Sequence, residues 1–138
     1  MKSLLLILWL AVRMMADDGL SCPASVTVSE KIGAPQPGWT VTQDSTPNRL
    51  AGVTFYDGPI EQKASLVYDE RRRGVRSDEH LWRFDTKNSR GYWIACSYSG
   101  TSLILSRRIP AAITRCTVTY GREISVAGLP EIQKIVCQ

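Results

Sequence analysis

Three features of the 138-residue chain predict an all-β fold, a small antiparallel barrel or sandwich of about eight short strands stapled by disulfides. Apolar and polar residues alternate with a period of two over short runs, which gives each run one inward and one outward face. Turn-forming residues break these runs about every 8–12 residues. No segment carries a helical apolar stripe longer than about two turns.

The strands follow in order. Ala24, Val26 and Val28 alternate with Ser25, Thr27 and Ser29, which predicts a first strand. Residues 33–38 hold two glycines and two prolines and read as a loop. Trp39-Thr40-Val41-Thr42 is a brief second strand, and Asp44 to Asn48 a turn. Leu50 to Tyr56 is a third strand, stopped by Asp57-Gly58-Pro59. Ala64 to Tyr68 is a fourth and Leu81 to Phe84 a fifth, with a turn from Asp85 to Gly91. Between these two strands, Asp69 to Glu79 is the most charged stretch. Its four arginines are matched by four acids, so it reads as a solvated loop. Tyr92 to Tyr98 is the best strand of the chain, dense in aromatic and apolar residues. Ser99-Gly100-Thr101 turns it into Ser102 to Ser106. Pro110 to Ile113 reads as one helical turn. Thr114 to Tyr120 and Ile132 to Cys137 complete the set.

The N-terminus predicts export. Lys2 opens a positive start, Leu4 to Val12 is almost wholly apolar, and Asp17 and Asp18 follow. This is the layout of a secretory signal peptide over residues 1–16, cleaved after Ala16, with residues 17–138 as a single exported domain in the periplasm. The apolar run is shorter than the roughly 20 residues a spanning helix needs, so no membrane span is expected. Gly19-Leu20-Ser21 before Cys22 resembles a lipoprotein box, but its leucine stands one place too late. The chain carries 17 basic and 13 acidic side chains. Two of the basic ones, Lys2 and Arg13, lie in the signal, so the exported part is close to balanced. That balance argues against nucleic acid as a partner.

In an oxidising compartment the four cysteines read as two disulfides. Three pairings are possible. The expected one joins Cys96 to Cys116 as a local staple and Cys22 to Cys137 as a clamp on the two ends. A metal site would want closely spaced ligand pairs, which are missing, and His80 is the single histidine.

No catalytic set stands out. His80 lacks a nucleophile elbow, the acids single out no glycosidase pair, and no phosphate-cradling glycine loop occurs. The chain is therefore expected to be a binder without cofactors rather than an enzyme. Trp39, Trp82, Trp93, Tyr92 and Tyr98 are candidates either for core packing or for a sugar-stacking platform. The tip Tyr98-Ser99-Gly100-Thr101, with Arg107 and Arg108 after the next strand, is the candidate partner-binding element. Gly100 permits a tight turn, and the hydroxyls offer donors and acceptors on a protruding loop.

Several of these residues carry a resemblance. Cys22-Pro23, Gly38-Trp39, the run Tyr92-Trp93-Ile94-Ala95-Cys96-Ser97-Tyr98-Ser99-Gly100-Thr101, Leu103, Leu105, Ile109-Pro110, Cys116 and Ile135-Val136-Cys137 resemble a family of small exported proteins of Gram-negative bacteria. More distantly, the chain is similar to the periplasmic inhibitors of C-type lysozyme, small disulfide-bonded β-barrels. Some members are suspected immunity proteins against peptidoglycan-degrading toxins of type VI secretion. Ser99-Gly100 matches the start of the inhibitors' Ser-Gly-x-x-Tyr loop, while Leu103 stands where the tyrosine would be. The resemblance implies a β-barrel that blocks a cell-wall-degrading enzyme, a lysozyme or a secreted toxin, by filling its cleft. A peptidoglycan-binding module without enzymatic activity is the alternative.

Overall fold

Alternation along Tyr92–Tyr98 sets the inner face of one sheet. Ile94, Cys96 and Tyr98 are buried while Ser97 faces solvent. The same logic runs through the chain in the computed structural model, which describes residues 19–138. The expected signal peptide lies outside the described residues. Eight strands form: β1 (Ser25–Val26), β2 (Asn48–Asp57), β3 (Glu70–Arg73), β4 (Ser77–Arg83), β5 (Tyr92–Tyr98), β6 (Ile104–Arg108), β7 (Arg115–Val126) and β8 (Leu129–Cys137). They make two antiparallel four-stranded sheets, ordered β1-β2-β5-β6 and β3-β4-β7-β8. The all-β prediction therefore holds.

The core lies between the sheets. Phe55 and Ile94 from the first sheet meet Trp82, Cys116 and Val118 from the second, with Phe84 just beyond β4. The Phe55 ring sits 4.8 Å from Trp82 and 5.6 Å from Phe84, both tilted, as aromatic quadrupoles prefer. Burying an apolar side chain of this kind stabilises the fold by roughly 1.5–3 kcal/mol. Gly52 marks a bulge in β2 where the chain passes close to β5. A Cβ there would lie 2.6 Å from Ser97 Oγ.

The structure corrects several expectations. Residues 39–42 pair with no strand, and Trp39 is 82% exposed. Ala64 to Tyr68 contributes only an isolated bridge, Ser65 to Tyr56. The charged run is not a loop: it forms the β3–β4 hairpin, with Arg73 opposite Asp78 and Arg71 opposite His80. Residues 110–113 close one turn, Ile113 N donating to Pro110 O at 3.0 Å. The last two strands are longer than expected. They meet in the two-residue turn Ala127-Gly128, closed by the pair Val126–Leu129. Both turn residues have positive φ, 48° and 74°, which matches the twist of the flanking strands.

The disulfides are Cys22–Cys96 and Cys116–Cys137, not the expected Cys96–Cys116 and Cys22–Cys137. The reason is topological. Cys96 on β5 and Cys116 on β7 belong to different sheets. Cys116 and Cys137 instead face each other in the β7–β8 register. Each staple thus serves one sheet: the first ties the N-terminal segment to β5, the second ties β7 to β8.

Candidate functional site

The β5–β6 hairpin carries the residues singled out as partner-binding. Its turn is held from one side. Ser99 N donates to Arg49 O at 2.9 Å, and Asn48 Nδ2 donates to Ser99 O at 2.7 Å. Arg49 N donates to Ser99 Oγ at 3.2 Å, and Leu103 N donates to Thr101 Oγ1 at 3.2 Å. Gly100 has φ +74°, a conformation side chains disfavour. The tip is therefore preorganised by β2. It borders a hollow of about 590 Å³ whose other walls are residues 28–32 and 41–48. Within that wall Asp44 accepts from the amide and hydroxyl of Thr46, which lowers its carboxyl pKa.

Tyr98 has a different place from the one expected. It is only 4% exposed, and its hydroxyl donates to Pro23 O at 3.0 Å. Burial raises its phenol pKa. Tyr98 pins the N-terminal segment beside the Cys22–Cys96 bridge and cannot line a partner's rim.

Arg107 and Arg108 end β6, a strand exposed along all five of its residues. Neither forms an ion pair among the described residues. The Arg108 guanidinium lies over Gly91, where a Cβ would come within 2.7 Å of its Nε. Ile104 pairs beside the tip, opposite Ser97, whereas Arg108 pairs with Trp93 at the far end. Four steps along the strand separate them by roughly 13 Å. The tip and the arginines are thus two ends of one stripe, not a single patch.

The aromatic residues do not form an open platform. Trp82 is buried and donates from Nε1 to Leu66 O at 3.3 Å. Tyr92 packs on Phe84 at 4.9 Å and accepts from Asp85 N. With Tyr98 also interior, Trp39 is the one fully exposed ring of these five, and Tyr92 and Trp93 are half-buried.

A second concavity, about 630 Å³, opens between Gly52 and Val53 of β2 and the second sheet. Asp78 is its electrostatic centre. Its Oδ2 lies 2.5 Å from Arg71 Nη2 and its Oδ1 3.6 Å from Arg122 Nη2. The Arg71 hydrogen bond holds the Asp78 carboxyl below the ordinary carboxylate range, and raises Arg71 in turn. Beside it, His80 stacks between Tyr68 at 4.2 Å and Tyr120 at 4.9 Å. Burial, and then the Arg71 charge, push its pKa below 6.5. A third ring, Trp82, lies 6.0 Å away, so aromatic side chains are its main packing neighbours. Nearby, Glu70 holds Arg72 at 2.8 Å and Arg83 at 3.0 Å, which lowers the Glu70 pKa.

Sequence reasoning missed the exposed strand edge. Its signal was there: Leu103-Ile104-Leu105 is an apolar run that does not alternate, followed closely by two arginines. Among the described residues no helix is long and apolar enough to cross a membrane.

Fold and site together define a small β-sandwich with one disulfide per sheet, a preorganised hairpin tip and an exposed edge strand. The chain belongs to the type VI secretion system Tli immunity protein family, whose model matches residues 43–138. As an immunity protein family, it implies a toxin as partner. No curated protein and no solved structure matches the chain.

Proposed function

We propose that this chain neutralises its cognate type VI toxin by binding it and obstructing its active site, without doing chemistry of its own. Family membership carries the reading. The pinned Ser99-Gly100-Thr101 turn supports a steric mechanism, because a loop already held by Asn48 and Arg49 loses little freedom on binding. Thr101, Arg107 and Arg108 meet the toxin, and Tyr98 acts from inside as an anchor. Disulfides at all four cysteines favour the periplasm as the place of action, reached through the signal at residues 1–16. The toxin is an envelope-degrading hydrolase, with the cell wall the expected substrate.

The test is a titration of the oxidised chain into the toxin encoded beside it, with peptidoglycan and phospholipid hydrolysis followed in parallel. Loss of the toxin's activity at about one equivalent is expected. Full activity with the chain in large excess overturns the reading. Which of the two activities the toxin shows decides the cell-wall assignment separately.

A further inference from the structure

We infer that the toxin docks by adding a β-strand to the open edge of β6. This rests on the toxin-binding reading and specifies how the partner is held. The backbone geometry follows from the register. Ile109 N donates to Tyr92 O at 2.8 Å, so odd-numbered residues here direct their amides toward β5. The pairs Arg107–Ile94 and Leu105–Cys96 continue this without a bulge. Ile104, Ser106 and Arg108 therefore direct their N–H and C=O groups away from β5, to the side where no strand pairs among the described residues. An antiparallel or parallel visitor finds a ready ladder of donors and acceptors there.

The other three edges offer less. β1 is two residues long. β3 is only four residues long and carries charge along all of it, Glu70 pairing with Arg72 on its own strand and with Arg83 of β4. β8 leans toward β2, where Glu131 receives Arg49 at 3.3 Å. β6 instead presents bare apolar surface: Leu103, Ile104 and Leu105 are 57%, 52% and 44% exposed. An exposed apolar edge invites pairing, and charged residues on it select the partner. Arg107 and Arg108, lacking acids of their own among the described residues, disfavour a second copy of this basic edge and favour a strand bearing aspartate or glutamate. The occupant is thus an acidic-apolar strand of the toxin.

Backbone hydrogen exchange on the full oxidised chain, free and toxin-bound, tests this. The amides of Ile104, Ser106 and Arg108 should exchange fast in the free chain and slow at least about tenfold in the complex. Those of Leu105 and Arg107, already bonded to β5, should be slow in both. Ser106→Pro removes only an outward donor, which an edge strand tolerates, and should weaken toxin binding by about tenfold or more. Unchanged exchange at 104, 106 and 108 in a complex that still neutralises the toxin overturns strand addition alone. A chain that fails to neutralise overturns the reading beneath it. Protection of these amides in the toxin-free chain, rising with its concentration, assigns the edge to a second copy and likewise overturns the proposal.

Discussion

Two groups of arginines show how topology decides what a charge can do. Arg71, Arg72, Arg83 and Arg122 surround the second sheet, and each has its acid, Asp78 or Glu70, within 3.6 Å or less. Arg107 and Arg108, at the end of β6, have none among the described residues. The first group is occupied in joining β3, β4 and β7. The second remains available to a partner. A count of charges along the chain cannot separate them, because Asp78 reaches Arg71 and Glu70 reaches Arg83 only across the β3–β4 hairpin, and Asp78 reaches Arg122 only once β4 pairs with β7.

The two halves also differ in how they are stapled, and this gives the largest expected effect. In the chain-entropy view, a bridge spanning 74 residues contributes about 4 kcal/mol and one spanning 21 about 3 kcal/mol. Cys22→Ser with Cys96→Ser should therefore cost more in denaturant unfolding than Cys116→Ser with Cys137→Ser. It should also free the segment that Tyr98 holds. Equal losses would mean that native packing, not loop closure, sets the contribution.

The next effect breaks the arginine contrast directly. Arg107→Glu with Arg108→Glu should weaken toxin binding by about a hundredfold, about 2.7 kcal/mol, and leave the unfolding midpoint within about 2 °C. Arg72→Ala should leave binding unchanged. If calorimetric titration shows the Arg72 variant to be the weaker binder, the groups have been assigned the wrong way round.

A smaller gain is expected at the β7–β8 turn. Ala127 has φ +48°, which asparagine tolerates better than alanine. Ala127→Asn should stabilise the fold by up to about 1 kcal/mol in urea unfolding.

The smallest effect is acid sensitivity of the paired cluster. The Asp78 carboxyl is lowered from 3.8 chiefly by Arg71, and Glu70 is lowered from 4.5 by Arg72 and Arg83. Groups depressed in the folded state stabilise it fully above their ordinary pKa. That contribution is lost as pH falls from there through the depressed values. Thermal melts from pH 6 down to pH 2 should show the decline below about pH 4, and Asp78→Asn should flatten it.

Much of the frame was legible. Tyr92–Tyr98 appears as a strand with the expected ends, because it is dense in aromatic and apolar residues and three in succession, Ile94, Ala95 and Cys96, are buried. Leu50 to Tyr56 lies within β2, with Leu50 and Phe55 buried and a bulge at Gly52 between them. Trp39 to Thr42 has strand-like composition but no neighbour to bond with, and composition alone makes no ladder. The run 69–79 failed in the opposite sense. Its hairpin is held by cross-strand charges such as Arg71–Asp78, which an apolar pattern does not reveal. Cys96 and Cys116 look like neighbours in sequence, but neighbours in a sandwich are set by sheet order. At the site, the turn at Gly100 and the exposure of Arg107 and Arg108 were legible. The inward turn of Tyr98 follows from its even place in β5, where residues 94 and 96 also point inward.

The short Ala127-Gly128 connection has a consequence in time. β7 and β8 meet through two residues, so their pairing needs only a local search, on the order of microseconds for a hairpin. β2 and β5 must first close the long stretch between residues 57 and 92. The C-terminal hairpin, with Cys116 already opposite Cys137, is therefore expected to assemble and oxidise before Cys22 finds Cys96. Timed thiol trapping during refolding, followed by mapping of the blocked cysteines, reads that order, and capture of Cys22–Cys96 first would reverse it. Under this order the sheet that carries β6 is the last part of the molecule to mature.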